Sequence, residues 1–503
     1  MVEDGRKTGK ELGELLAERR RKLDELRAAG MDPFSASFAD RSDAAAVAKS
    51  YSILADAEES NDAVSLAGRV AARRGHGKAT FLDLVDRSGR IQLHARLDVL
   101  GERSYEQLVS LDLGDLIGIR GAPFRTRRGE LSVRVDEWTM LAKSLRPPPD
   151  KHHGLSDVET RFRQRELDLL ANPDSRELFV ARSKVVAAVR EFLDERDFLE
   201  VETPVLQPIY GGALARPFVT HHNALDRTLY LRIATELYLK RLIIGGLEKV
   251  YELGKDFRNE GLSSKHNPEF TMLETYEAYA DYLQVAEMTE QLVAYVAREI
   301  LGTTTIERDG IEIELAPPWR RVSLRDAIKD EIGIDIGELT GKGPLLAAMR
   351  DAGIEVADDA GIGWGKLVDE LLSKQVESKL VQPTFVLDYP TELSPFARPH
   401  RSAPGLVERF EAFVGGMEIA NAFSELNDPD EQRARFEQQQ RLAVAGDEEA
   451  QPYDEEFVEA LEYGMPPTGG LGVGIDRLAM VLLGRSSIRE IVLFPALRNR
   501  PSS

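Results

Sequence analysis

The residues best suited to chemistry lie between Phe257 and Tyr279, where two β-forming segments flank a loop rich in Gly, Ser, Asn and Pro. This pattern predicts an antiparallel hairpin, and the side chains of its second strand alternate between two faces. One face then carries an aromatic ring, a carboxylate and a phenol over about 20 Å. The residues that share this face are Phe270, Met272, Glu274 and Tyr276.

Arg258 and Glu260 have equal parity on the first strand of the hairpin and flank its loop. A guanidinium donates paired hydrogen bonds from a planar fork, so it can hold carboxylate and phosphate oxygens together. The hairpin therefore predicts a groove for a nucleotide and a charged second substrate. A solvated amphipathic hairpin is the alternative interpretation of this stretch taken alone.

Two carboxylates, Glu418 and Glu425, stand in an otherwise apolar strand pattern. Burying a carboxylate is costly unless it is paired or bound to a metal, and oxygen ligands suit magnesium held together with a phosphate. Seven residues is an odd separation, so a regular strand would point the two side chains to opposite faces. Shared metal binding therefore requires a bend or a bulge in the strand.

Three further segments offer groups for ligand binding. The pair Gly211 and Gly212 exposes backbone amides, and Glu236 stands at the head of a helix, where a carboxylate is usually a favourable first-turn charge. A glycine-rich strand then runs into a helix that carries Arg477, which can reach a triphosphate. That segment is neither a Walker loop nor a dinucleotide fingerprint, because it lacks their spacing.

Composition narrows the class of protein. A chain of 503 residues with 42% hydrophobic content predicts about two to four domains. The absence of cysteine excludes disulfides, thiolate zinc sites and a cysteine nucleophile. A net charge of −21 argues against indiscriminate nucleic-acid binding, so no DNA partner is expected, although a local basic patch is allowed. With no long apolar run and no signal-peptide pattern, a cytoplasmic protein without a membrane partner is expected.

The chain predicts an α+β protein of two folded parts. The first sixty residues read as a helical extension, and five short β-rich runs after it predict a closed oligonucleotide-binding (OB) barrel. Strands and helices without regular βαβ alternation then favour an antiparallel sheet flanked by helices. A capping box at Asp174 opens a helix to about Arg196, and a strand follows to Pro204. The predicted boundaries are 1–62 for the extension, 63–146 for the barrel, 147–174 for a linker and 175–503 for the second domain, with a mainly helical insertion at about 320–380.

In the barrel, basic residues surround Phe81. Bases stack on rings while phosphates attract cations, so this composition favours single-stranded nucleic acid, and a structural Phe in a small barrel is the alternative. The basic residues are Arg73, Arg74, Lys78, Arg90 and Arg96.

Three segments in order resemble the signatures of the class II aminoacyl-tRNA synthetases: Phe198-Leu-Glu-Val-Glu-Thr-Pro, Phe257-Arg-Asn-Glu with Glu269-Phe, and Gly472-Val-Gly-Ile-Asp-Arg. The class I motifs are absent from the sequence. Within class II the chain resembles the bacterial-type lysyl-tRNA synthetases. The segments that carry this second resemblance are 211–226, 236–241, 266–270 and 421–428.

The resemblance implies a role for each matching residue. Arg258 and Arg477 would be catalytic, the first bridging the lysine carboxylate and the ATP α-phosphate, the second holding the γ-phosphate. The ATP-binding residues would be Arg258, Glu260, His266, Asn267, Phe270 and Arg477. The lysine-binding residues would be Gly212, Glu236, Arg258, Glu274, Tyr276, Asn421, Phe423 and Glu425. Magnesium would be held by Glu418 and Glu425, which gives Glu425 two roles, and the anticodon would be read by Arg74, Phe81, Gln92 and Glu130.

The implied reaction is ATP-dependent activation of L-lysine and its transfer to lysine tRNA, with Mg²⁺ as cofactor. The implied assembly is a homodimer formed through the segment ending at Pro204. A relative that transfers lysine to an acceptor other than tRNA is the alternative, and a non-catalytic descendant would lack Arg258, Arg477 or Glu418, which are all present.

Four residues depart from the family pattern. Met417 replaces an Arg beside Glu418, and Asp197 replaces a Gly before the first signature. Tyr210 and Leu214 replace smaller residues near the predicted lysine loop.

Overall fold

The computed structural model describes residues 9–75, 77–149, 155–354, 363–444 and 450–499. Residues 150–154 of the predicted linker and 355–362 of the predicted insertion lie outside these ranges. The chain divides into two compact units, Met1–Ser156 and Asp157–Ser503. Across the described ranges, no helix combines the length and the apolar character needed to cross a membrane, and the cytoplasmic location stays a prediction.

The first unit contains a closed five-stranded barrel with strand order β1-β2-β3-β5-β4, which confirms the predicted OB-type fold. Alternating side chains fill it, since Leu66, Leu93 and Val135 are fully buried while their strand neighbours are partly exposed. Its strands are β1 Val64–Arg74, β2 Ala79–Val85, β3 Arg90–Arg96, β4 Leu116–Arg125 and β5 Leu131–Ala142. Its helices are α1 Gly9–Ala28, α2 Ala44–Ser50, α3 Leu97–Leu100 and α4 Glu102–Val109.

The second unit is built on an eight-stranded sheet in the order β14-β15-β16-β17-β18-β11-β10-β6. The two outermost pairs are parallel and the other neighbours are antiparallel, so the predicted antiparallel sheet with helices is confirmed. Its strands are β6 Leu199–Glu200, β10 Lys249–Phe257, β11 Glu269–Ala278, β14 Arg320–Ser323, β15 Thr384–Pro390, β16 Leu406–Phe413, β17 Glu418–Ser424 and β18 Thr468–Gly474. Smaller sheets contain β7 Leu206–Gln207, β8 Val219–His222, β9 Arg227–Leu231, β12 Thr305–Arg308 and β13 Ile311–Glu314.

The helices that carry Val189, Leu292 and Leu478 cover one face of the large sheet. The opposite face carries the cavity described below, and the helices that carry Leu237, Phe436 and Phe457 pack on part of it. The helix α9 starts at a capping box between Asp281 and Gln284 and buries Leu292 and Val296 against the sheet. Each such aliphatic side chain contributes about 1.5–3 kcal/mol on burial. The helices are α5 Val158–Arg163, α6 Arg165–Ala171, α7 Pro173–Asp194, α8 Glu236–Ile244, α9 Tyr282–Leu301, α10 Leu324–Ile332, α11 Lys342–Asp351, α12 Trp364–Leu371, α13 Pro429–Val444, α14 Glu455–Glu462, α15 Ile475–Leu482 and α16 Ile488–Ile491.

Three local predictions are wrong in detail. The helix α7 starts at Pro173 rather than from a capping box at Asp174, because Pro suits the first helical position and Asn172 caps it without a side-chain hydrogen bond. The strand predicted to end at Pro204 is only two residues long, since β6 finds partners only at Val250 and Tyr251 of β10. The strand β10 ends at Phe257, so Arg258 and Glu260 belong to the loop.

Candidate active site

A cavity of about 330 Å³ lies on the face of the sheet that carries Tyr276, against β11, β17 and β18. Every residue of the second unit for which the sequence predicted a binding or catalytic role lines it. These residues are Gly212, Glu236, Arg258, Glu260, His266, Asn267, Phe270, Glu274, Tyr276, Glu418, Asn421, Phe423, Glu425 and Arg477.

The strand β11 gives the cavity its long wall. Phe270, Met272, Glu274 and Tyr276 line it together, as strand alternation predicts, while Leu273 points into the core between the sheet and its helices. The aromatic ring of Phe270 therefore lies toward one end of the cavity, and the carboxylate and phenol lie toward the other.

Arginines collect at the Phe270 end. The guanidinium of Arg258 lies 5.0 Å from the centre of the Phe270 ring, and its Nε donates to the Ile233 carbonyl at 3.4 Å. Arg477 donates from Nη1 to Glu418 Oε2 at 2.7 Å, and its Nη2 lies 3.2 Å from His266 Nε2. This end therefore has two cations and a flat ring, which suit a nucleotide with its phosphates.

Asn267 shapes the loop at this end through its side chain. Its Nδ2 donates to the Glu269 carbonyl at 2.6 Å, and its Oδ1 accepts from the Ala496 amide at 3.1 Å. Because both ends of the amide make a hydrogen bond to the backbone, the side chain holds the loop in place.

Carboxylates collect at the Tyr276 end. Glu274 accepts hydrogen bonds from the Thr235 amide at 3.1 Å and from the Tyr276 hydroxyl at 3.2 Å. Burial, together with the nearby Asp256 and Glu236, raises the pKa of Glu274 to about 8. A carboxyl group whose ionisation is opposed by burial and by like charges gains from an arriving cation.

Glu236 and Glu425 share one buried cation, Lys240. The Lys240 Nζ donates to Glu236 Oε1 at 2.6 Å and also pairs with Glu425. Burial raises the pKa of Glu236 and that of Glu425, and Lys240 opposes both rises. We call the group Glu236, Lys240 and Glu425 the ammonium pocket.

Two glycines give the ammonium pocket its shape. Gly212 has a φ of +89°, and a Cβ there would lie 2.9 Å from the Glu236 Cβ. A Cβ at Gly470 would overlap the Glu425 carboxylate. The backbone must approach these carboxylates closely, which only glycine permits.

The two carboxylates predicted to hold magnesium lie far apart along the chain. Glu418 and Glu425 are separated by about 20 Å of strand, and a shared magnesium requires oxygens about 2.1 Å from the ion. A bulge is present, as required, where β17 pairs with β16 at Ala412 and Phe413. The structure does not bring Glu418 to Glu425.

The bulge instead leaves Glu418 near Glu411, which lies opposite Asn421 on β16. Burial raises the pKa of Glu411 to about 8, with contributions from Glu418 and Asp369 that Arg409 opposes. Since no cluster of three metal-ligating side chains forms among the described residues, a divalent ion here would use two carboxylates and phosphate oxygens. Glu411 and Glu418 are two neighbouring carboxylates, and Glu411 also accepts hydrogen bonds from Arg409 Nη2 at 2.6 Å and from the Tyr389 hydroxyl at 2.9 Å.

The barrel presents a second candidate surface. Phe81 stacks on His94 with ring centres 4.4 Å apart and an interplanar angle of 9°, and Phe124 lies 5.5 Å beyond His94. Arg74 donates to Asp83 Oδ1 at 2.7 Å, and Gln92 accepts from the Ser132 hydroxyl at 2.8 Å. Glu130 is exposed and lies 3.7 Å from Arg90. Rings beside basic groups suit single-stranded nucleic acid.

Comparison with known proteins decides the family. Residues 157–498 match the family described as tRNA synthetases class II (D, K and N), and residues 64–141 match the OB-fold nucleic acid binding domain. The lysine–tRNA ligase of Moorella thermoacetica is 53% identical over 96% of this chain and 98% of its own. The chain belongs to the class II tRNA synthetases. The lysine–tRNA ligase of Pelotomaculum thermopropionicum is 52% identical over 97% of this chain and 96% of its own, and that of Bacillus subtilis 51% over 97% and 98%.

The departures from the synthetase pattern have local explanations. Asp197 has a φ of +64°, a left-handed conformation that Gly adopts freely and Asp tolerates better than most residues. Met417 is buried in an apolar cluster with Met480. Tyr210 packs on Tyr230 with ring centres 5.0 Å apart, and Leu214 is partly exposed beside the cavity.

Several residues of this synthetase site were missed by sequence reasoning. Gln451 accepts from the Gly212 amide at 3.2 Å and also donates to the Ala213 carbonyl, so it holds the glycine loop. Arg409 donates from Nε to Asn421 Oδ1 at 2.9 Å, which leaves the Asn421 Nδ2 for a ligand. Lys240 carried one usable signal, its spacing of four residues from Glu236, which places both on one helix face.

Replacing Phe81 by alanine is expected to raise the KM for tRNA by about 10- to 100-fold, because one base–ring stack contributes about 1–3 kcal/mol. Lysine-dependent ATP–pyrophosphate exchange, which needs no tRNA, is expected to stay unchanged. Steady-state aminoacylation and exchange assays on the same variant separate the two effects. Equal losses in both assays would contradict a role in tRNA binding.

Proposed function

We propose that this chain activates L-lysine with ATP and transfers the lysyl group to the 3′ end of lysine tRNA. The observation that carries the proposal is the division of one cavity into two ends. Glu236, Glu274 and Glu425 enclose the end suited to a molecule with two ammonium groups, and Arg258 and Arg477 stand at the end suited to phosphates. Lysine has two ammonium groups that the carboxylates can bind and a carboxylate group that the arginines can bind.

In the first step, a lysine carboxylate oxygen attacks the α-phosphorus of ATP, the bond to the β-phosphate bridging oxygen breaks, and pyrophosphate leaves. Arg258 lies between the two clusters of charge, so it can hold both reacting anions, while Arg477 holds the terminal phosphate. Glu274 faces the α-ammonium and Asn421 the carboxylate. No protein nucleophile is required, because positioning and charge stabilisation supply most of the acceleration.

In the second step, the terminal adenosine hydroxyl of the tRNA attacks the carbonyl carbon of the adenylate. The ester bond forms, AMP leaves with the electron pair of the broken mixed anhydride, and the hydroxyl proton is released. The stacked rings of the barrel are proposed to bind the uridine-rich anticodon. Every relative named above is a lysine–tRNA ligase, and nothing supports transfer to another acceptor.

Magnesium is proposed to be held by Glu411 and Glu418, in place of the pair Glu418 and Glu425 predicted from the sequence. When bound, the ion would neutralise charge on the ATP phosphates. Burial, and after it the nearby Glu418 and Asp369, raise the pKa of Glu411, so a divalent cation there would relieve an unfavourable negative charge, which supports this assignment. Glu425 is then left to lysine alone.

A homodimer is proposed through the segment that contains β6 and β7. The strand β6 lies at an edge of the large sheet, and apolar side chains are exposed beside it: Val180, Leu199, Val205 and Leu206. An exposed edge with apolar neighbours is normally covered by a partner.

The test of the proposed function is aminoacylation of a lysine tRNA transcript with lysine, aspartate and asparagine in parallel. Charging with lysine alone is expected, because the closed end of the cavity is lined by carboxylates that would repel an acidic side chain. Charging with aspartate or asparagine would overturn the proposal.

Replacing Glu418 by glutamine is expected to raise the Mg²⁺ concentration for half-maximal exchange by at least about tenfold, since a charged oxygen ligand is lost. Glu425→Gln is the comparison variant, and we expect it to raise the KM for lysine with the magnesium requirement unchanged. Magnesium titrations at saturating ATP and lysine distinguish the two. A shifted magnesium requirement in Glu425→Gln would restore the pair predicted from the sequence.

A further inference from the structure

Lys240 places a positive charge behind two carboxylates, Glu236 and Glu425, that line the part of the cavity suited to a positive charge from lysine. It lies one turn after Glu236 on α8, and its side chain is fully buried. Its Nζ lies 2.6 Å from Glu236 Oε1 and pairs with Glu425. The rings of Phe396 and Phe423 lie 5.2 and 5.5 Å from the same Nζ. A buried lysine enclosed in this way has no access to water.

The buried ion pair is incomplete, which indicates a second cation. Among the described residues, neither carboxylate oxygen of Glu425 receives a hydrogen bond of good geometry, although both are buried. When both carboxylates are ionised they carry two negative charges, and Lys240 supplies one positive charge. A net charge of −1 therefore remains on three buried groups, and buried net charge is costly unless a partner arrives.

Stability alone does not explain Lys240 well. Replacing a buried ion pair with apolar side chains is often neutral or stabilising, so a buried lysine is weak support for folding. Removing one partner alone leaves a buried charge without compensation, which costs much more. Substitutions can therefore change the net charge of the ammonium pocket by one unit at a time.

We propose that Lys240 is a positioning residue that sets the charge of the ammonium pocket, holding Glu236 and Glu425 apart and leaving one negative charge for one substrate ammonium. This rests on the proposed use of lysine as substrate. It makes Lys240 a determinant of specificity without contact to the reacting atoms. The two carboxylates can compensate two positive charges. Because Lys240 supplies one of these charges, the pocket matches a substrate side chain with one terminal ammonium group.

The net charge of the pocket predicts that a second substitution restores lysine binding that the first one weakens. Glu236→Gln leaves one carboxylate and Lys240, a net charge of zero, so the KM for lysine is expected to rise by at least about 100-fold. Glu236→Gln combined with Lys240→Met leaves Glu425 alone, a net charge of −1. The double variant is therefore expected to bind lysine at least about tenfold better than Glu236→Gln.

The measurement is lysine-dependent ATP–pyrophosphate exchange, giving KM for lysine, KM for ATP and kcat for the wild type, both single variants and the double variant. Lys374→Met is the matched control, because Lys374 pairs with Glu370 at the same four-residue spacing on the surface. We expect that control to behave as wild type. The KM for ATP is expected to stay within about threefold throughout, since the ATP end is separate.

The outcomes separate the inference from the function on which it rests. Wild-type protein without lysine-dependent exchange would remove the proposed function. Exchange in the wild type, with a double variant no better than Glu236→Gln, would overturn the role of Lys240. If Lys240→Met alone does not fold, the double variant still tests the inference, because it buries no more uncompensated charge than the wild type.

Discussion

Replacing Arg258 by alanine is expected to reduce lysine-dependent ATP–pyrophosphate exchange by at least about 1,000-fold, because a preorganised charge at a reacting phosphate contributes on this scale. The charge of Arg258 acts on both ends of the cavity. Arg477 is the strongest of the cations that hold the pKa of Glu418 below its usual range against burial, and Arg258 adds to its effect. Burial raises the pKa of Asp256 to about 6, and Arg232 and Arg258 oppose this rise.

Arg258→Lys separates charge from geometry. A lysine keeps the positive charge but lacks the planar fork, so it cannot bond a carboxylate and a phosphate in parallel. We expect exchange between that of the wild type and that of Arg258→Ala. Arg87→Ala is the control, since Arg87 is an exposed barrel residue paired with Asp43. Near-normal exchange in Arg258→Ala would remove the mechanism.

Local sequence patterns predicted the parts of this site that a single chain segment forms. Strand alternation placed Phe270, Met272, Glu274 and Tyr276 on one face before any partner strand was known, and all four line the cavity. The barrel was predictable for a similar reason, because five short strands separated by turns admit few closed arrangements. Signals of this kind depend on backbone geometry, which the sequence expresses over a few residues.

Contacts between segments that are distant in the sequence could not be predicted from local patterns. Lys240 pairs with Glu425 because the fold brings α8 close to the end of β17. Nothing in the sequence of either segment indicates this contact. The position of Glu418 depends on a bulge opposite Ala412, and a bulge leaves little trace in a single sequence. Without that register, the sequence indicated only Glu425 as a partner for Glu418.

Element ends were predicted less well than element types. The helix α7 begins at Pro173 because proline suits the first helical position, a signal that competed with the Ser and Glu after Asp174. The loop after Phe257 begins earlier than alternation suggested, since Pro268 accepts a hydrogen bond from the Arg258 amide but has no N–H to extend the pairing further. That early end places Arg258 where it can turn toward Phe270.

Replacing Gly470 by alanine is expected to raise the KM for lysine by at least about 100-fold, although the substitution adds only a methyl group. Gly470 lies on β18 between Tyr276 of β11 and Phe423 of β17. A Cβ there would overlap the Glu425 carboxylate and lie 2.8 Å from the Tyr276 ring. Displacing one partner of a buried charge pair costs about 3–5 kcal/mol, which is a factor of about 100 or more in binding.

Gly472→Ala tests whether this effect is specific to the ammonium pocket. Gly472 lies two residues further along the same face of β18, and a Cβ there would make ordinary contacts at 3.8 Å with the Asn421 carbonyl and the Met272 sulfur. The KM for lysine in this variant is expected within about threefold of the wild type, since nothing needs to move. Thermal melts of both variants check that the sheet is intact. Equal lysine KM values in the two variants would contradict the tight approach of the backbone to Glu425. A raised lysine KM in Gly470→Ala alone would show that β18 determines the shape of the pocket, whereas Glu236, Lys240 and Glu425 determine its charge.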